Sequence, residues 1–84
     1  MKKRRILIVV WTAWGIGDTI SDAWKNCLKA LGTKKKPKTY IVYDVPEGTY
    51  VESGCGDICY DRKETIRIIE KIKDGKPFVE KVKA

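Results

Sequence analysis

Asp61-Arg62-Lys63-Glu64-Thr65-Ile66-Arg67-Ile68-Ile69-Glu70-Lys71-Ile72-Lys73-Asp74-Gly75 carries the clearest local punctuation in the chain. Asp61 offers an acceptor to the free amides of a first helical turn, and Glu64, three residues on, completes a capping box. Thr65, Ile68, Ile69 and Ile72 then fall on one stripe at helical spacing, with Ile66 beside it. Gly75 suits the position just past a helix end, and Pro77 opens a strand through Phe78, Val79 and Val82. The run predicts a helix over Asp61–Asp74, of thermophile-like Ile, Lys and Glu content. The expected architecture turns on it.

Upstream, Arg5 to Thr12 reads as a strand that is apolar on both faces and therefore central in a sheet. Trp14-Gly15-Ile16-Gly17 breaks it. A helix follows from Asp18 to Leu31, with Ile20, Ala23, Trp24, Cys27, Leu28 and Leu31 on one stripe, and Gly32 ends it. Thr39–Val45 and Thr49–Cys55 flank Pro46-Glu47-Gly48 as a hairpin. Its register sets Ile41, Tyr43, Val45, Val51, Ser53 and Cys55 on one face, and Tyr40, Val42, Asp44, Tyr50 and Glu52 on the other. The order is then β-α-β-β-α-β. It predicts a single α+β domain over residues 1–84, a ferredoxin-like plait with a four-stranded antiparallel sheet and both helices on one face. A thioredoxin-like fold is the alternative.

The chain has 84 residues and a formal net charge of +7, which favours anionic partners such as nucleic acid. In the plait, the start of the first strand, the end of the first helix, the end of the third strand and the C-terminus share one pole. Lys2, Lys3, Arg4, Arg5, Lys34, Lys35, Lys36, Lys38, Lys81 and Lys83 would meet there, with Arg62 and Lys63 beside them: twelve of the 18 basic residues. A positive pole beside a helix N-terminus favours anions and lowers the pKa of a nearby thiol.

That thiol lies in Gly54-Cys55-Gly56-Asp57-Ile58-Cys59. Cys55 and Cys59 read first as structural residues. A local disulfide, a metal site drawing on Cys27 and Asp57 or Asp61, and a catalytic thiol are the alternatives. The absence of histidine removes histidine-based triads and His metal ligands, so no catalytic residue, metal or cofactor is assigned and a non-enzymatic role is expected. The Cys-x3-Cys spacing, the Pro-x-Gly turn and the tail Gly75-Lys76-Pro77-Phe78-Val79-Glu80 resemble pieces of thioredoxin-like two-iron two-sulfur ferredoxins. The pair follows the hairpin instead of preceding it, and a second pair after the first strand is missing, so the resemblance is not adopted. Cys27, between Trp24 and Leu31, reads as a small buried hydrophobe.

Gly15-Ile16-Gly17-Asp18 lacks the third glycine and the lysine of phosphate-binding loops, and Trp11 and Trp14 beside it read as core and rim packing. Tyr40 and Tyr50 are expected on the open sheet face, which resembles how RNA-recognition motifs stack bases, although Glu52 breaks that family's basic and aromatic pattern. The same face, with Trp11 or Val42 alongside, suits a homodimer. Lys2-Lys3-Arg4-Arg5 before an apolar run mimics a signal peptide, but Ile6-Leu7-Ile8-Val9-Val10 reads better as a buried strand. No run reaches membrane-span length, and the odd cysteine count favours a reducing cytoplasm. The leading expectation is a small basic domain that binds nucleic acid or another polyanion. Thiol redox or metal binding at Cys55 and Cys59 comes second, and a ligand-free oligomerisation or designed scaffold third.

Overall fold

The computed structural model describes residues 3–11, 13–52 and 56–77. Strand β1 (Arg4–Val10) is followed by β2 (Ala13–Gly17), helix α1 (Ile20–Leu31), β3 (Tyr40–Pro46), the short β4 (Tyr50–Val51) and β5 (Ile58–Cys59), then β6 (Arg67–Lys73) and β7 (Lys76–Pro77). Five strands form one antiparallel sheet in the order β2-β1-β3-β6-β7, and β4 and β5 pair separately.

Helix α1 forms where expected. Thr19, in extended conformation, caps it by accepting from the Asp22 amide at 3.1 Å. Gly32 ends it in the left-handed region at φ 74, its amide donating back to Leu28 at 2.9 Å. Ala23, Trp24 and Cys27 pack on Ile8, Val10 and Val42 of the sheet, with Leu28, Leu31 and Tyr40 around them.

The opposite face is also covered. Leu7 and Val45 pack there against Val51, with Trp14, Tyr43, Ile58 and Ile66 at the margin. Neighbours along β1 and β3 thus serve two cores, which the strand period of two requires. Each fully buried apolar side chain contributes roughly 2 kcal/mol.

Three expectations are corrected. Asp61–Asp74 is not a helix. Asp61 and Glu64 do make a turn, with the Glu64 amide 2.9 Å from the Asp61 carbonyl and the Lys63 amide 3.0 Å from the Asp61 carboxylate. The Glu64 carboxylate then faces Arg4 Nη1 at 4.0 Å, and the chain extends into β6. Ile66, Ile68, Ile69 and Ile72 are β-branched, which favours a pleated strand. Asp74 and Gly75 both take positive φ, 53° and 78°, between the paired Lys73 and Lys76. Two left-handed residues between strands make the tight hairpin turn that Asp-Gly favours, so the supposed helix stop is a turn.

The second correction is β2. Its residues pair in full with β1, from Ile6 opposite Gly17 to Val10 opposite Ala13. Third, the segment after Pro46-Glu47-Gly48 does not fold back on β3. The turn itself is present: the buried Thr49 hydroxyl donates to the Pro46 carbonyl at 2.7 Å. Both edges of β3 are taken by β1 and β6, so Tyr50–Val51 pairs with Ile58–Cys59 instead. With one helix among the described residues and every pairing antiparallel, the molecule is mostly β, neither the ferredoxin-like plait nor its thioredoxin-like alternative.

Candidate functional site

The strand register divides the expected basic pole between the two ends of the sheet. Arg4 and Arg5 stand opposite Pro46 and Val45, at the end of β3, and the Glu47 amide donates to the Lys3 carbonyl at 2.9 Å. Lys34, Lys35, Lys36 and Lys38 lie between α1 and the start of β3, at the other end. Lys2, Lys81 and Lys83 lie outside the described residues. The pole fails because an extra hairpin strand precedes α1: the helix now starts, rather than ends, beside the first residues of β1.

The cations at the β1 start are compensated. Lys3 Nζ and Arg5 Nε each lie 3.3 Å from Asp18 Oδ1. Arg4 Nε meets Asp44 Oδ1 at 3.0 Å, and its Nη2 donates to the carbonyls of Asp44 at 3.1 Å and Thr65 at 2.8 Å. Arg67 takes the other Asp44 oxygen at 3.0 Å. Burial pushes the Asp44 carboxyl up, but the hydrogen bonds and charges of Arg67 and Arg4 outweigh it and hold its pKa below the ordinary range. These arginines tie β1, β3 and β6 together.

The other end differs. Among the described residues, no carboxylate pairs with Lys34, Lys35, Lys36, Lys38 or Lys76. The β6–β7 turn is fastened to the lysine loop by the Gly75 amide, 2.8 Å from the Lys38 carbonyl, and by the Asp74 amide, 3.2 Å from Thr39 Oγ1. That turn brings Lys73 and Lys76 to the same end. Lys36 Nζ sits 5.3 Å from the centroid of Trp24, whose ring meets Tyr40 edge-on at 4.6 Å. Burial, and after it the charge and hydrogen bonding of Glu70, raise the Tyr40 hydroxyl pKa.

The aromatic platform does not form. Tyr40 packs under α1, whereas Tyr50 belongs to the small β4–β5 sheet and is half exposed. Trp14 lies at the rim of the second core, but Trp11 is 77% exposed, contrary to its reading as packing. Gly15 and Gly17 have a packing role. A Cβ on Gly15 would lie 2.1 Å from the Cys27 backbone nitrogen, and one on Gly17 2.8 Å from that of Ala23. The glycine pair admits the helix backbone, not a phosphate.

Of the two thiols, Cys55 lies outside the described residues, so its structural reading and the alternative disulfide with Cys59 do too. Cys59 is free and half-buried, 3.7 Å from a Glu52 carboxylate oxygen, and lines a cleft of about 730 Å³ with Glu52, Asp57, Tyr60 and Arg62. Its interaction with Cys59, more than burial or Glu52, raises the Tyr50 hydroxyl pKa. The lysine loop is at the far end of the sheet, so the expected cationic setting for this thiol is not built from it. Cys27 is fully buried under α1, and that burial pushes its pKa up. No group of three or more metal-ligating side chains occurs among the described residues. Among them, no helix is long and apolar enough to cross a membrane.

The missed feature was legible in part. Asp-Gly at 74–75 is a strong hairpin signal, and a hairpin there returns Lys76 towards the loop before β3. Comparison with protein-family models, with curated proteins and with solved structures finds no match for this chain.

Proposed function

We propose that this chain is a polyanion-binding module whose contact surface is the lysine-rich end formed by Lys34, Lys35, Lys36, Lys38 and Lys76. The observation that carries the reading is the contrast in compensation. Lys3, Arg4 and Arg5 are held by Asp18 and Asp44, whereas Lys34, Lys35, Lys36, Lys38 and Lys76 at the other end have no carboxylate partner among the described residues. Clustered, uncompensated lysines on a folded frame raise the local concentration of phosphates and release counterions on contact. Nucleic acid is the polyanion of choice, bound through its backbone without sequence preference.

Titration of short nucleic acids at about 50 mM and about 200 mM salt tests this, since each phosphate neutralised adds roughly 0.7 to 0.9 to the slope of log affinity on log salt. Reversing Lys34, Lys35 and Lys38 to Glu is expected to weaken binding at least tenfold and flatten the slope. Lys3→Glu is expected to leave both unchanged. Absence of binding at the lower salt, or equal losses in the two variants, defeats the reading.

A further inference from the structure

We propose that Trp11 is a base-stacking residue and that the ligand of the lysine-rich end is single-stranded nucleic acid. This inference rests on the polyanion reading and names the ligand class within it. Three observations carry it. Trp11 is 77% exposed, well above the other large exposed apolar residues among those described, of which Ile68 at 57% comes next. It also holds a backbone φ of 51° in the turn between the paired Val10 and Ala13, a turn position that glycine or asparagine fills readily and a bulky side chain rarely does. The tight turn calls for the left-handed conformation but not for an indole, and Trp11 fills with an exposed ring a place that asparagine or glycine would fill at lower cost.

The third observation is placement. Val9 of β1 stands opposite Ile41 of β3. β1 thus ends where β3 begins, so the turn that holds Trp11 lies at the end of the sheet where Lys38 leads into β3. Lys38 in turn accepts from Gly75 of the β6–β7 turn. The exposed indole and the uncompensated lysines therefore stand at one end of the sheet, in the order Trp11, Lys38, Gly75-Lys76 across β1, β3 and β6. An aromatic beside a cationic track is how proteins grip single strands: phosphates follow the charge and a base lies on the ring. A duplex keeps its bases stacked inward, so it satisfies the lysines but leaves the indole unused.

The test uses the full chain and three ligands: a short oligothymidylate, a duplex of equal length, and heparin, which carries charge but no bases. Trp11→Gly is the decisive variant because it removes the ring and relieves the backbone. It is expected to melt at the same temperature as the wild type or higher, to bind heparin unchanged, and to lose about tenfold in affinity for oligothymidylate. Trp11→Tyr is expected to recover most of that loss. Unchanged oligothymidylate binding by Trp11→Gly, or a parallel loss on heparin, overturns the stacking proposal. Heparin binding by the wild type with no preference for the single strand sinks stacking alone, whereas binding of none of the three ligands sinks the polyanion reading with it.

Discussion

Asp44 accepts from Arg4 and Arg67 at 3.0 Å each, while only 16% of its side chain meets solvent. Arg67 is 77% exposed, so solvent screens its share, and Arg4 does most of the holding. Replacing Asp44 by Asn is expected to cost about 1–2 kcal/mol at neutral pH. Because its folded pKa is depressed, the contribution is complete above the unfolded value of about 3.9 and disappears as pH falls through the folded value. Urea unfolding of wild type and Asp44→Asn at pH 7 and again in strong acid should show the gap at neutral pH and its closure below. A gap that persists in acid refutes the charge assignment. The sequence shows Arg4, Asp44 and Arg67 as charges but not as partners, since sheet pairing across some 40 residues is what joins Arg4 to Asp44.

At the scale of elements, α1 was readable and β2 and β6 were not. The helix announces itself through Thr19, its apolar stripe and Gly32, all local signals. In β2 the two glycines look like breakers, yet they occupy the face where α1 sits too close for any Cβ. Gly15→Ala is expected to cost roughly 3 kcal/mol or more, or to abolish folding, measured by thermal melting; a variant within 1 kcal/mol of wild type would mean that the helix seats elsewhere. In β6, helical and strand periods compete over the same isoleucines. A capping pattern at Asp61 and Glu64 favours the first, and the Asp74-Gly75 turn with tertiary pairing to β3 secures the second. A bulge adds to the ambiguity: Val42 pairs with Glu70 and Tyr43 with Ile68, so Ile69 opposes neither. Gly75→Ala, at φ 78 with open space around it, is expected to cost about 1–2 kcal/mol, and Gly32→Ala, at φ 74, a similar amount. If Gly75→Ala melts like the wild type, the left-handed turn is not what aligns β6 with β7.

At the scale of the whole molecule, composition alone gave the positive charge but not its arrangement. One extra hairpin before α1 reverses which end of the sheet receives the helix C-terminus, and with it the whole 34–38 run. Charge position is therefore a property of topology, and a single misread element moves it across the molecule. The expected open face is covered over β1 and β3, where Val51 is buried on Leu7 and Val45 with Ile58 and Ile66 beside it, while Ile68 and Ile69 of β6 stay exposed.

The unequal neutralisation of the two ends has a kinetic consequence. Among the described residues, cations paired with carboxylates at one end and the unpaired Lys34, Lys35, Lys36, Lys38 and Lys76 at the other contribute an electric moment along the strands. In the field of a long anionic filament a body with that moment is torqued before it touches, and its collisions become preferentially end-on. Added electrolyte would abolish that alignment over about a nanometre, so arrival rates should fall with ionic strength alongside the affinity.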